Sequence, residues 1–216
     1  MTEPSRSRRH LGEAEALRAL YVDFEGEKGE PPVLLGVHRR GRGARPFVQQ
    51  DVLDQAFAGL AGPAGRAVTL REAVEKVIRR AEHGDRRIVA WSEHELNVVR
   101  TLLADDPGLV ASFEARFVNA RALAERWRHR LHAGAGADCG RLADYLALIG
   151  YPVPAEAAGG DVGRTIRDLR GRLERGLPPT PGQVERWDRL LEHNRHDCAG
   201  MRRVCLRATR ELDAAG

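Results

Sequence analysis

Four acidic side chains occupy places in this sequence where carboxylates serve chemistry. Asp23 and Glu25 stand two residues apart at the end of the apolar run Leu20-Tyr21-Val22. In an extended strand, side chains two apart share a face. Two carboxylates held that way repel unless something positive lies between them, and a divalent cation meets that need. Glu95 follows a second apolar segment, Arg87 to Trp91, within the first turn of the next helix. Asp197 lies on the last long helical stretch, four residues after His193, so these two share one side of the helix. Each has an ordinary alternative. Asp23-x-Glu25 also fits a strand-to-turn boundary, and Glu95 fits a capping box with Ser92, with Glu93 a rival for the site role. Asp197 also fits a solvated helix acid, and His193 a surface or core histidine. Zinc is a weaker reading. His193, His196 and Cys198 lack an established ligand spacing, and His94-Glu95 is not HExxH because Val98 holds the second histidine position.

The elements that must position these residues are legible in outline. Leu20 to Val22 reads as a buried strand ending in the acids, with Val33 to Val37 and Arg45 to Gln49 as further strands of a β-meander and Arg39 to Gly43 as a turn. Thr69 and Glu72 form a capping box ahead of a helix striped by Leu70, Ala73, Val74, Val77, Ile78 and Ala81 and ended by Gly84. Ile88 to Ala90 is a short strand, Ser92 caps a helix to about Leu103, and Phe117-Val118 is another short strand after Pro107. It leads into a helix from Ala120 to Leu131 and a loop at Gly134 to Gly136. Arg141 to Ile149 and Thr165 to Arg175 read as helices around a loop from Gly150 to Gly163, and Gln183 to Leu212 as a long helix bent near Gly200. Strands first, then strands alternating with helices, predict an α/β fold with a mixed sheet flanked by helices and a helical C-terminal half.

Composition bounds the function class. At 216 residues with 42% hydrophobic and 31% charged content, the chain suits one soluble domain, and no apolar run reaches the roughly 18 residues that cross a bilayer. Arg6, Arg8 and Arg9 are followed by no apolar stretch, so residues 1–17 read as a flexible basic arm and 18–213 as the domain. Three cysteines without a CxxC pair point to reduced thiols and the cytoplasm. The net charge of +4 rests on arginine, since Lys28 and Lys76 are the only lysines. Arginine forks suit phosphate, although a GC-rich genome produces the same bias.

In chain order, these motifs resemble the three exonuclease motifs of ribonuclease H-like, DEDD-type nucleases. Leu20-Tyr21-Val22-Asp23-Phe24-Glu25-Gly26 resembles the first, Ile88 to Leu96 the second, and His193-Asn194-Arg195-His196-Asp197-Cys198 the third. Leu142 to Tyr151 resembles the Leu-x-x-Tyr-Leu-x-x-x-Gly-Tyr segment of a bacterial and archaeal predicted exonuclease family, whose members stand near helicases. The likeness runs from about residue 18 to 210. The third motif has the spacing of the tyrosine subclass with His193 at the tyrosine position; the histidine subclass would place its histidine at 192, where Glu192 stands. Asn119 stands where relatives often have Asp.

The resemblance implies a two-metal-ion nuclease, with Mg²⁺ or Mn²⁺ held by Asp23, Glu25, Glu95 and Asp197, His193 positioning the water, and 3′–5′ exonuclease action on DNA or RNA. Its partners would be nucleic acid and a helicase or other repair protein, with no membrane. Arg121, Arg126 and Arg130 on one basic segment and Arg167 on a second are candidates for the substrate groove, and Trp91, Trp127 and Trp187 for base stacking. Two other readings stand beside this one. A catalytically silent nucleic-acid-binding or scaffolding module would keep the same fold, and a metal hydrolase would act on a smaller phosphoester.

Overall fold

The computed structural model describes residues 11–40, 46–61, 67–133, 140–154 and 161–216. Its centre is a mixed five-stranded sheet in the order β3-β2-β1-β4-β5, formed by β1 (Leu20–Glu25), β2 (Leu34–Arg40), β3 (Pro46–Val52), β4 (Ile88–Ala90) and β5 (Phe117–Asn119). The first three strands form the antiparallel meander, with Asp23 opposite Gly36 and Gly36 opposite Gln50. The last two run parallel to β1, with Tyr21 opposite Val89.

Strand β1 is covered on both sides, which its aromatic and β-branched residues suit. Leu20, Val22 and Phe24 pack on one face with α2 (Leu70–His83), α3 (His94–Leu102) and α4 (Pro107–Glu114). Tyr21, and with it the Asp23 and Glu25 side of the strand, faces α5 (Ala120–Leu131), α6 (Leu142–Leu148) and α8 (Pro181–Ala214). A third cluster joins Val33, Leu34 and Val52 to a 3₁₀ turn (Gln55–Leu60), α7 (Val162–Leu173) and Trp187. Helix α8 is capped by Thr180 and Gln183 with Pro181 at its first turn, and spans about 51 Å at 1.5 Å per residue. It crosses the sheet face that carries the acids. This is an α/β architecture with a mixed sheet, flanking helices and a helical C-terminal half.

Several expectations are corrected. Residues 1–10 lie outside the described residues, but the rest of the expected arm is structured: Glu13–Arg18 forms α1, and Leu11 and Ala16 are buried in the core. Glu15 pairs with Arg87, Glu13 with Arg210, and Tyr21 Oη donates to the Ala16 carbonyl. The basic residues ahead of this segment draw the eye from its apolar anchors. Between Pro107 and Phe117 the structure adds a helix, α4: Pro107 occupies its first turn, where the missing N–H costs nothing, and Asp106 caps it. Helix α7 starts three residues earlier than expected, behind its Asp161 cap. Helix α8 continues through Gly200. A Cβ there would meet Leu146 of α6 at 2.7 Å, so this glycine serves close helix packing. Residues 41–43 of the turn expected over Arg39 to Gly43, the loop expected at Gly134 to Gly136, and Cys139 lie outside the described residues.

Candidate active site

Strand β1 carries Asp23 and Glu25 to its C-terminal end on the face crossed by α8. Strand β4 ends beside it, and the chain turns at once into α3, which brings Glu95 back toward the same end. Asp197 comes from the middle of α8. The four acids thus reach one region from three separate segments, close enough to act on one another. Asp23 is held well above the usual carboxylate range, first by burial and then by the charges of Glu25, Asp197 and Glu95. Glu25 is pushed up to about 7, mainly by burial and further by Asp197, against the pull of His193 and hydrogen bonds from Asp23 and Asn194. Glu95 is likewise pushed to about 7 by burial and Glu25, although its own amide and the Ser92 amide and hydroxyl hold it back. Burial also raises Asp197, opposed by His193 and His196.

Glu95 is buried while Glu93 is exposed, which resolves the rivalry between them. The capping alternative for Glu95 is partly realised, since it binds Ser92, and the Ser92 hydroxyl also accepts from the His94 amide at 3.1 Å. Even so, Glu95 Oε2 and Glu25 Oε1 are buried without a hydrogen-bond partner. Such atoms are costly and mark a place built for something else. His193 Nε2 lies 3.5 Å from Asp197 Oδ2. Behind it, His196 bridges Tyr151 Oη at 3.1 Å and Glu192 at 3.2 Å.

The hard oxygen donors and the two orphaned oxygens fit Mg²⁺ or Mn²⁺. The acids are not gathered into a finished cage. Among the described residues no three or more His, Cys, Asp or Glu side chains stand so that they could hold a metal ion as placed. Four like-charged groups repel when no cation neutralises them, so closure onto an ion requires side-chain rotation.

Sequence reading missed the residue that organises Asp23. Asn194 is fully buried on α8; its Nδ2 donates to Asp23 Oδ2 at 2.9 Å and to the Asp23 carbonyl at 3.2 Å. Its Oδ1 accepts from Gln50 Nε2 at 3.1 Å. Only glycine fits at position 36, since a Cβ there would lie 2.2 Å from Asn194 Oδ1. The available signal was an asparagine lying on an otherwise apolar stripe, where a buried amide requires a polar partner. Asn119 caps α5 through the Ala122 amide and is not part of the acid cluster.

The arginine and tryptophan candidates divide. Arg167 on α7 pairs with Glu27, two residues beyond Glu25, so α7 borders the site. Arg121, paired with Glu125, starts α5 where its amide binds the Trp91 carbonyl. Arg126 is half-buried further along that helix. Arg130 reaches the Ala215 carbonyl at the far end of α8, 18 residues or about 27 Å along the helix from Asp197, and does not line this site. Trp127 and Trp187 are sealed in the core at 1% exposure each, so neither can stack on a base. Trp91 is partly exposed.

Compared with known proteins, the chain matches no protein-family model, no curated protein and no solved structure. No helix among the described residues is long and apolar enough to cross a membrane.

Proposed function

We propose that this chain is a ribonuclease H-like, DEDD-type nuclease that hydrolyses phosphodiester bonds of DNA or RNA, with 3′–5′ exonuclease action. The observation that carries the reading is the convergence of Asp23, Glu25, Glu95 and Asp197 from three segments into one region in which, among the described residues, Glu25 Oε1 and Glu95 Oε2 are buried without a hydrogen-bond partner. A fold keeps such an arrangement at a cost to its own stability, and this is characteristic of functional sites. Asp23, Glu25, Glu95 and Asp197 would hold Mg²⁺ or Mn²⁺, two ions in this reading. When bound, these supply charge neutralisation at the phosphate and make water a better nucleophile. His193, beside Asp197, would position the incoming water. Arg167 and Arg121 flank the acids and receive backbone phosphates, and the partly exposed face of Trp91 meets a base. A cytoplasmic repair or turnover role beside a helicase follows from the same resemblance.

The acids do not form a ready-made cage, and this favours a second reading: a silent nucleic-acid-binding module of the same fold. The test is incubation with end-labelled single- and double-stranded DNA and RNA in Mn²⁺, Mg²⁺ or EDTA. Cation-dependent shortening from the 3′ end is expected. Binding without cleavage in either cation would leave the silent module as the better account.

A further inference from the structure

We infer that Gln50 and Asn194 are positioning residues that fix the Asp23 carboxylate through a directional chain of amides; this rests on the nuclease reading of the site. Three residues lie in one row across the sheet, Gln50 on β3, Gly36 on β2 and Asp23 on β1. The missing side chain of Gly36 leaves a slot in the middle of that row, and the Asn194 carboxamide from α8 occupies it. Gln50 Nε2 donates to the Leu191 carbonyl at 2.6 Å and to Asn194 Oδ1 at 3.1 Å. Asn194 Nδ2 donates to the Asp23 carbonyl at 3.2 Å and to Asp23 Oδ2 at 2.9 Å.

Both ends of this chain rest on main-chain carbonyls, which only accept. Gln50 must therefore turn its NH₂ toward Leu191, Asn194 must turn its oxygen toward Gln50, and its NH₂ is left facing Asp23. The orientation of both amides follows from the network. The consequence falls on the carboxylate. Asn194 presents a donor to Asp23 where every nearby acid presents negative charge, so it holds one carboxylate oxygen in place. A buried asparagine kept only for packing would need neither Gln50 nor a glycine beneath it. Outer-shell partners of this kind typically change metal affinity or activity 10–100-fold.

Gln50 is partly exposed, so its substitution is the milder way to break the chain. Gln50→Leu and the shape-preserving Gln50→Glu both remove the donor to Leu191 and free the Asn194 amide to turn. Three quantities are compared with the wild type: Mn²⁺ affinity without nucleic acid, kcat and KM on a single-stranded oligonucleotide, and Tm in EDTA. Both variants are expected to keep a cooperative melt, to bind Mn²⁺ about tenfold more weakly and to lose about tenfold in kcat at unchanged KM. Gly36→Ala, which fills the slot, should show the same split more strongly. Wild-type Mn²⁺ affinity and kcat in both Gln50 variants would overturn the inference while leaving the nuclease reading intact. A rise in KM with kcat and Mn²⁺ affinity unchanged would also overturn it, since Gln50 would then touch substrate. A wild type that neither binds Mn²⁺ nor cleaves removes the nuclease reading and this inference together.

Discussion

Helix α8 carries two acids about four turns apart in opposite surroundings. Glu211, near its C-terminal end, accepts from Trp127 Nε1 at 2.7 Å, pairs with His132 at 3.0 Å and is bonded by Arg207. Burial raises it, but those hydrogen bonds outweigh burial and pull it down to about 2. Asp197, mid-helix, has histidines for company and Asp23 and Glu25 across from it, and burial leaves it raised. The far face of the sheet shows the same contrast, for Asp51 is buried there with Lys76 at 2.9 Å and Gln49 at 2.7 Å. Where this fold buries an acid for structure, it supplies donors and a cation. At the Asp23 cluster it supplies Asn194 and Ser92 but leaves two carboxylate oxygens orphaned. Stability alone does not account for that cluster, and the proposed cation site would.

The contrast can be broken most forcefully at Asp23. Asp23→Asn keeps the shape and removes one charge, so cation-dependent cleavage should fall by at least about two orders of magnitude, the ~3 kcal/mol scale of a key electrostatic group. Metal-free Tm should hold or rise, because one repelling charge is gone. Turnover measured beside a melting curve checks both halves.

Glu211→Ala should do the reverse. It strands the buried Trp127 N–H, at a cost of about 1–3 kcal/mol. For a chain of this size that is about 2–4 °C of Tm per kcal/mol. Cleavage should be unchanged. A Glu211→Ala protein of native stability, or one that no longer cleaves, would dissolve the distinction between the two acids.

Stability of the metal-free protein should also depend on pH in a particular sense. Glu25 and Glu95 are raised from about 4.5 to about 7, so the native state binds more protons than the unfolded chain between those values. Stability then rises as pH falls from 8 toward 6.5. Buried His38 is lowered from 6.5 to about 4, mainly by burial and then by Arg202, so below 6.5 the unfolded chain takes the extra proton and the gain is opposed. Two carboxyls outweigh one imidazole, so melting in EDTA should show stability climbing steeply from pH 8 to 6.5 and more gently below it, and Glu25→Gln with Glu95→Gln should remove the climb.

Smaller effects sharpen the picture. His193→Tyr installs the residue usual at this spacing and should leave cleavage intact or faster, which a turnover assay reads directly. Arg167→Ala should lower the salt slope of nucleic-acid affinity by about one unit, whereas Arg130→Ala, at the wrong end of α8, should leave it unchanged.

Much of this was legible in the sequence, for physical reasons that differ by element. The Thr69–Glu72 box and its apolar stripe, and the run Leu20 to Val22, carry strong local signals, and they form α2 and β1 where expected. Asp23 and Glu25 share a face because strand geometry demands it. What escaped was non-local. Gln50 reaches Asn194 across 144 positions and Asn194 reaches Asp23 across 171, and no local pattern records such a partnership. Arginine spacing on α5 likewise gave no hint that Arg130 would be spent on the chain end. Helix α1 was hidden because Ala16 is its one buried residue, with Leu11 and Ala19 as the buried anchors on either side.

The central claim is that the acid cluster is a cation site, and calorimetric titration of Mn²⁺ into metal-free protein at pH 7.5 tests it most directly, with wild type and Asp23→Asn compared in buffers of different ionisation heat. Wild type should bind saturably, release protons as Glu25 and Glu95 give up theirs, and melt at a higher temperature when loaded, while Asp23→Asn should lose all three. A wild type that takes up no Mn²⁺ at millimolar concentration and melts identically with and without it would contradict the account.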